Sequence, residues 1–146
     1  MRYMTKEWYM LWQTYPMPDR LRTELEGVAA LYREAQARET LPEKLRRNFM
    51  FHDGEVLEAA AGTDFVIRLK SPYSDYQKIT FQDAVVKQET PPVGAWWLYE
   101  ELYCHKSGVG YEAHILFHKA SGPRHKQTLL SDLFETKIIC GDILFE

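Results

Sequence analysis

A histidine and an aspartate stand side by side in this chain, at His52 and Asp53. Such a pair has two chemical uses: both side chains can bind a metal ion, or the carboxylate can orient the imidazole as a general base. A competing interpretation starts from Gly54, because Asp-Gly favours a tight turn between two elements. Turn chemistry explains Asp53 and Gly54 without a site. We therefore favour the turn and assign no catalytic residue; His52 and Asp53 are the candidates if the chain is an enzyme.

A second group of reactive side chains lies in the segments "AWWLYEELYCH" and "GYEAHILFHKA", which the turn "KSGVG" separates. Alternating polar and apolar residues around such a turn are typical of a β-hairpin. The alternation predicts an inward face with Trp96, Leu98, Leu102 and Cys104, in a register that sets Cys104 opposite Ala113. Glu100 falls on the same inward face, where a carboxylate needs a hydrogen-bond donor.

The outer face of this hairpin collects aromatic, acidic and imidazole side chains. It comprises Tyr99, Glu101, Tyr103, His105, Glu112, His114 and His118. A partly exposed face of this composition is suited to anchoring a protein partner by aromatic contacts with a polar rim, and we predict that it holds the binding residues. The alternative is that a helix or loop of the same chain covers the face. The aromatic residues are then core, and the histidines are structural.

His114 and His118 have the i, i+4 spacing of a helical zinc site. On a strand, at about 3.3 Å per residue, the same spacing separates two side chains by roughly 13 Å, which is too far for one ion. We therefore predict neither a metal site nor a cofactor.

The elements that position these residues divide the chain near residue 48. Helical periodicity before that point predicts two to three helices, the first of them capped by Thr5. From residue 49 the period changes to two, which predicts a mainly antiparallel sheet of about six strands. The predicted strands span 54–61, 64–71, 77–88 with a bulge near 82–84, 95–105, 110–120 and, after a loop over 121–127, 136–146. The sequence thus predicts one α+β domain over 1–146, with a helical front (1–48) packed on the antiparallel region (49–146). The apolar stripe of the helices, which is predicted to pack on the core face of the sheet, comprises Trp8, Leu11, Trp12, Leu21, Leu25 and Tyr32.

Composition limits the possible partners and indicates the cellular compartment. The 146 residues carry a net charge of −3, with Lys and Arg scattered among acidic residues, so we do not expect nucleic acid as a partner. No stretch approaches the roughly 20 apolar residues of a membrane span. Cys104 and Cys140 are expected to be free thiols, and the chain is expected to be cytoplasmic.

The opening "MRYMTKEWY" and the segments "FHD", "ITF", "WLYEEL" and "GYEAHILF" resemble a family of small bacterial proteins of unknown function. The likeness runs over most of the chain. It implies a shared fold without an assigned reaction, so it transfers no catalytic residue.

Three functions of different class are compatible with these observations. The leading hypothesis is a protein-binding module, such as an adaptor, an inhibitor or an immunity-type protein. The second is a hydrolase-type or metal-assisted enzyme that combines His52 and Asp53 with His105, Glu112 or His114. The third is a structural homodimer that buries the outer face of the hairpin against its twin.

Overall fold

The computed structural model describes residues 1–119 and 127–146 of the chain. Of the loop predicted over 121–127, all but Gln127 lies outside the described residues, as does Ala120. The described part is an α+β fold, as predicted, with three α-helices and an antiparallel sheet. The helices are α1 (Lys6–Trp12), α2 (Asp19–Arg38) and α3 (Glu43–Asn48). The strands are β1 (Gly54–Ala61), β2 (Phe65–Lys70), β3 (Lys78–Gln82), β4 (Val85–Gln88), β5 (Trp96–Cys104), β6 (Tyr111–His118), β7 (Leu133–Cys140) and β8 (Asp142–Phe145).

The sheet has eight strands in the order β4-β7-β6-β5-β1-β2-β3-β8, so the prediction of about six is wrong. Two of the predicted strands are each divided once. The strand predicted over 77–88 breaks at Asp83, whose φ of 49° is incompatible with extended backbone. The strand predicted over 136–146 breaks opposite that residue, at Gly141, whose amide donates to the Gln82 carbonyl at 2.8 Å.

The pairing of β3 with β8 and the pairing of β4 with β7 belong to one ladder. Gln82 pairs with Asp142 and Val85 pairs with Ile139, so the register continues across the break without a shift. The two ends of the strand order are therefore joined, and the sheet closes on itself. Its interior holds the largest apolar cluster, which includes Phe65, Ile67, Leu69, Ile79, Phe81, Trp97, Leu102, Ile115, Phe117, Phe134, Ile138 and Ile143. Residues of α3 and the segment after it, including Leu45 and Phe51, belong to the same cluster.

Helices α1 and α2 lie on the outside of this closed sheet. The prediction that the helical front packs against the sheet's core face is therefore wrong for these two helices. Trp8, Leu25 and Tyr32 form a separate buried cluster with Tyr103 of β5. The indole of Trp8 donates to the Leu25 carbonyl at 3.1 Å, which ties α1 to α2. Thr5 caps α1 as predicted, because its hydroxyl accepts from the Trp8 amide at 3.2 Å.

Side chains of α2 and the residue after it cap one edge of β5. Strand β1 pairs with β5 only at Gly54 and Glu55, so the later part of β5 has a single strand neighbour, β6. There the Leu102 amide donates to the Tyr32 hydroxyl at 3.2 Å, and the Cys104 amide donates to the Glu39 carboxylate at 2.9 Å. These bonds satisfy backbone donors that would otherwise be free at a sheet edge.

Candidate functional site

The His52–Asp53 pair lies in the tight turn that leads into β1, as the sequence predicts. Asp53 has a φ of 58°, and the Gly54 amide donates to the Phe51 carbonyl at 2.9 Å. Gly54 is required here because an added Cβ would lie 2.7 Å from that carbonyl oxygen. The His52 Nδ1 and the nearest Asp53 carboxylate oxygen are 3.8 Å apart, too far for the hydrogen bond that a carboxylate-oriented base needs.

His52 instead belongs to a stack of rings. Its imidazole lies between Tyr73, at 6.0 Å between centroids and an interplanar angle of 12°, and Tyr99, at 4.8 Å and 26°. Tyr99 in turn meets the edge of Trp8 at 5.1 Å, so the stack runs from the surface into the helix-covered layer. The His52 side chain is 38% exposed and Tyr73 is 58% exposed.

A shallow depression of about 330 Å³ adjoins the exposed end of this stack. It lies between the end of α3 and the loop from β2 to β3, and Tyr73 belongs to both the depression and the stack. Its walls are Arg47, Asn48, Met50, Tyr73, Ser74, Asp75 and Tyr76. Together with His52 these residues are called the Tyr73 surface below. Met50 is 52% exposed, so this surface offers an aliphatic and an aromatic side chain beside polar groups.

The outer face of the β5–β6 hairpin has a different register from the one predicted. Cys104 pairs with Tyr111 rather than Ala113, a shift of two residues. The register also changes between Trp97 and Tyr99, where a bulge at Leu98 accommodates one extra residue of β5. From Tyr99 onward the predicted alternation holds, so Tyr99, Glu101 and Tyr103 point outward. Before the bulge it is inverted, and the prediction that Trp96 and Leu98 face inward is wrong: Trp97 lies in the interior cluster, whereas Leu98 and Trp96 pack outside with Leu116 and Leu133.

The prediction that this face is partly exposed is wrong, and the alternative of a covering helix is what the structure shows. Tyr103 is 2% exposed, and Glu101 is fully buried. Helices α1 and α2 supply the cover: Tyr32 packs against Tyr103 at 6.3 Å, and Trp8 packs against Tyr99. The centre of this face, which the homodimer hypothesis requires to meet a second copy, is thus already covered by helices of the same chain.

Glu101 anchors the first residues of the chain. Its carboxylate accepts from the amides of Arg2, Tyr3 and Met4 at 2.7 to 2.9 Å and from the Tyr103 hydroxyl at 2.8 Å. Backbone donors and a hydroxyl thus solvate this buried carboxylate, which offsets its loss of water.

Glu112 and His114 form a charged group beside Tyr103. The Glu112 carboxylate contacts His114 Nε2 at 2.6 Å and Lys137 Nζ at 2.8 Å. Burial by itself raises the pKa of Glu112, but the hydrogen bonds from Lys137 and His114 outweigh it and lower the pKa to about 2. Burial lowers the pKa of His114, against the opposing effect of Glu112. The Arg2 guanidinium covers the group from outside, 4.0 Å above the Tyr103 ring.

His105 and His118, the remaining two residues of the predicted face, lie apart from its covered part. His105 follows the end of β5, and its Nδ1 is 2.8 Å from the Ser107 hydroxyl within the hairpin turn. His118 is the last residue of β6 and pairs with Trp96. Both His114 and His118 lie on a strand, as predicted. Within residues 1–119 and 127–146 no group of three or more His, Cys, Asp or Glu side chains could hold a metal ion.

Glu100 faces the interior of the closed sheet, as predicted. Part of the residue is accessible, but its carboxyl lies deep enough that burial raises its pKa to about 7, against hydrogen bonds from the Trp97 indole and the Phe51 backbone. The Trp97 Nε1 donor is 2.5 Å away. The predicted need for a donor is thus met by a residue three positions earlier on the same strand.

The sequence did not reveal several residues that complete the ring stack at His52 and the group of side chains around Glu112. Tyr73 lies in a Ser- and Tyr-rich loop with no periodicity, and nothing in the sequence relates it to His52. Arg2 and Lys137 reach Glu112 from elements remote in sequence. The sequence did indicate that Tyr32 is buried, because Tyr32 lies on the apolar stripe of α2. The stripe does not show which strand α2 covers.

No family model, no curated protein and no solved structure matches this chain. Among the described residues, no helix is long and apolar enough to cross a membrane.

Proposed function

We propose that this chain is a protein-binding module, of adaptor, inhibitor or immunity type, and that it binds its partner through the Tyr73 surface. The observation that carries the proposal is the stack of Tyr73 on His52 and of His52 on Tyr99. A ring that is already held in place loses little conformational entropy on binding, which is why rigid aromatic side chains dominate binding energy.

The composition of the Tyr73 surface supports the same function. Tyr, Met and Arg are enriched at protein interfaces, and this surface combines Tyr73, Tyr76, Met50 and Arg47 around one depression. The depression is shallow, which suits a side chain projecting from a partner's surface better than an enclosed small molecule.

The fixed base of the stack adds a second argument. Tyr99 contacts Trp8 at 5.1 Å and Tyr9 at 6.1 Å, and Trp8 is buried between α1, α2 and the sheet. Tyr73 itself lies in the loop from β2 to β3, but its ring stacks on His52, which rests on this packed layer. A partner that contacts Tyr73 meets a surface whose position is set by the core.

The proposal also assigns the chain to a bacterial cytoplasm. It is supported by two cysteines that are free thiols, Cys104 and Cys140. Burial raises the pKa of Cys140 to about 12, so this thiol stays protonated and unreactive at neutral pH.

Site-specific photocrosslinking in living cells tests the binding surface. A benzophenone amino acid replaces Tyr73 in one variant and Tyr15 in the matched control; Tyr15 is 97% exposed and belongs to no ring contact among the described residues. We expect one discrete crosslinked protein band from position 73 and none from position 15. Equal crosslinking at the two positions would contradict the proposal.

Titration of the captured partner then measures the contribution of the ring. Tyr73→Ala should weaken binding by about 2 kcal/mol or more, the cost of removing an aromatic anchor. Tyr15→Ala should leave the affinity unchanged. Equal affinity of Tyr73→Ala and the unmodified chain would assign the interface to another surface.

A further inference from the structure

Strand β1 has a free edge over its second half. It pairs with β2 along most of its length, but β5 pairs with it only at Gly54 and Glu55. The Val56 amide donates to the Ala95 carbonyl at 2.8 Å, and beyond it no described strand lies on that side. On that side the segment from Leu57 to Ala61 therefore has no backbone hydrogen-bond partner among the described residues, and four of its five residues are exposed.

The direction of each amide along this segment follows from the hairpin turn. The Gly62 amide donates to the carbonyl of Asp64, the residue before β2, at 2.9 Å, so the backbone groups of Gly62 point toward β2. Alternate residues of an antiparallel strand form their backbone hydrogen bonds on the same side. The backbone groups of Ala60 therefore point to β2. Those of Ala59 and Ala61 point to the free edge, where they can pair with another strand.

The other partly paired strands among the described residues are guarded. The amides of β5 are capped by Tyr32 and Glu39. Strand β8 lies beside α3, where Lys44 contacts Asp142 at 3.1 Å. Strand β4 has only four residues, includes Lys87 and is soon followed by two prolines. Short length, lysine and proline are the usual devices against strand addition.

The free edge of β1 lacks lysine and proline. It carries a bulge between Val56 and Glu58 and the charge of Glu58, and the register with β2 is regular from Glu58 to Ala61. Three consecutive alanines are also unusual for a strand, since alanine is depleted there. Small side chains do, however, allow a second backbone with its own side chains to approach closely.

We propose that two copies of this chain associate by antiparallel pairing of their β1 edges, about a twofold axis at Ala60. Ala59 of each copy then lies opposite Ala61 of the other, and each pair exchanges both backbone hydrogen bonds. The two Ala60 residues face each other as a non-hydrogen-bonded pair, with Cα atoms about 4.5 Å apart.

The charges on the strand disfavour two neighbouring registers. Glu58 lies opposite Gly62 of the second copy, and it keeps its own partner Arg68 at 3.3 Å. A twofold axis at Glu58 would instead place two glutamates face to face, and an axis at Ala61 would set Glu58 opposite Asp64. Like charges directly opposite on paired strands are destabilising, so the axis at Ala60 is favoured over both.

Charge substitution at the axis tests the proposal by sedimentation equilibrium over a concentration series. The unmodified chain should reach twice its 17.2 kDa mass. Ala60→Lys and Ala60→Glu should each sediment as single chains, because each places two like charges face to face. An equimolar mixture of the two variants should recover the two-chain mass, because lysine then faces glutamate.

Ala37→Lys is the matched control, since Ala37 is exposed on α2 and undergoes the same change of size and charge. It should keep the mass of the unmodified chain. Thermal unfolding of the Ala60 variants is measured as well, to check that the exposed substitution leaves the fold intact. A single-chain mass for the unmodified protein, a two-chain mass for Ala60→Lys, or no recovery in the mixture would each overturn the β1 pairing.

Tyr73→Ala separates this inference from the proposed function. The variant should keep the two-chain mass, because Tyr73 lies outside the β1 edge. Loss of the two-chain mass in Tyr73→Ala with its retention in Ala60→Lys would assign self-association to the Tyr73 surface instead.

Discussion

Two regions of this molecule share several types of side chain and have opposite environments. The outer face of the β5–β6 hairpin and the Tyr73 surface both combine tyrosine, histidine and acidic side chains. The first is covered by α1 and α2, and its Glu101 and Tyr103 are buried. The second keeps Tyr73 and Met50 more than half exposed. Composition identifies groups able to bind, and the covering elements decide whether a partner can reach them.

Burial changes what the same groups contribute. On the hairpin face, the Glu101 carboxylate and the Tyr103 hydroxyl hydrogen-bond to each other at 2.8 Å and stabilise the packing of the helices. On the Tyr73 surface the contacts are between stacked rings, and solvent competes for the polar groups. Substitutions should therefore lower the unfolding free energy in the first region and the binding affinity in the second.

The largest effect is expected from Tyr103→Ala. The ring fills the space between Tyr32, Arg2 and His114, so its removal leaves a cavity in a packed layer. We expect the free energy of unfolding, measured by urea denaturation, to fall by about 3 to 5 kcal/mol. A change within about 0.5 kcal/mol would show that the face is exposed in solution.

Glu101→Ala should have the next largest effect, about 3 kcal/mol in the same measurement. It leaves the amides of Arg2, Tyr3 and Met4 without their acceptor. Glu101→Gln keeps one acceptor oxygen and should lose less. Equal losses in the two variants would show that packing, rather than hydrogen bonding, makes this residue necessary.

Glu100 should make stability depend on pH. Its pKa is raised from 4.5 to about 7 in the folded chain, so the folded state holds this proton more tightly than the unfolded state. The resulting stabilisation is complete below pH 4.5 and is lost as the pH rises to about 7, by about 2 to 3 kcal/mol. Unfolding free energies at a series of pH values should fall over this range, and Glu100→Gln should flatten the curve.

An exposed carboxylate is the control for that pH series. Glu34→Gln on α2 should reproduce the pH dependence of the unmodified chain. An unchanged pH dependence in Glu100→Gln would instead assign the effect to another group.

The smallest effect on stability is expected from Tyr73→Ala. The ring is 58% exposed, and its removal breaks only a surface stack with His52. The unfolding free energy should change by about 0.5 kcal/mol or less, in contrast to the same substitution at Tyr103. A loss of several kcal/mol would mean that the stack is part of the core, and the two regions would then no longer differ.

Local signals predicted the local structure well. Thr5 caps α1, the turn at 62–64 joins β1 to β2, and Asp53 and Gly54 form the turn before β1. Each depends on residues adjacent in sequence, whose conformational preferences are strong. The predicted β5–β6 register was wrong because the turn sets it: the His105 amide donates to the Gly110 carbonyl at 2.9 Å, and the pattern of apolar residues does not specify that closure. The bulge at Leu98 adds a further change of one residue.

The sequence by itself determined the helical and the β-rich parts of the chain and, beyond the Leu98 bulge, which side chains of β5 share a face, since residue type and period act over a few positions. That information placed Glu100 inward and Tyr99, Glu101 and Tyr103 outward. The tertiary structure alone decided that α1 and α2 cover the outward face, that Tyr73 stacks on His52, and that β1 keeps a free edge. The physical reason is that covering and pairing depend on contacts between residues remote in sequence, and many alternative arrangements satisfy the same local preferences.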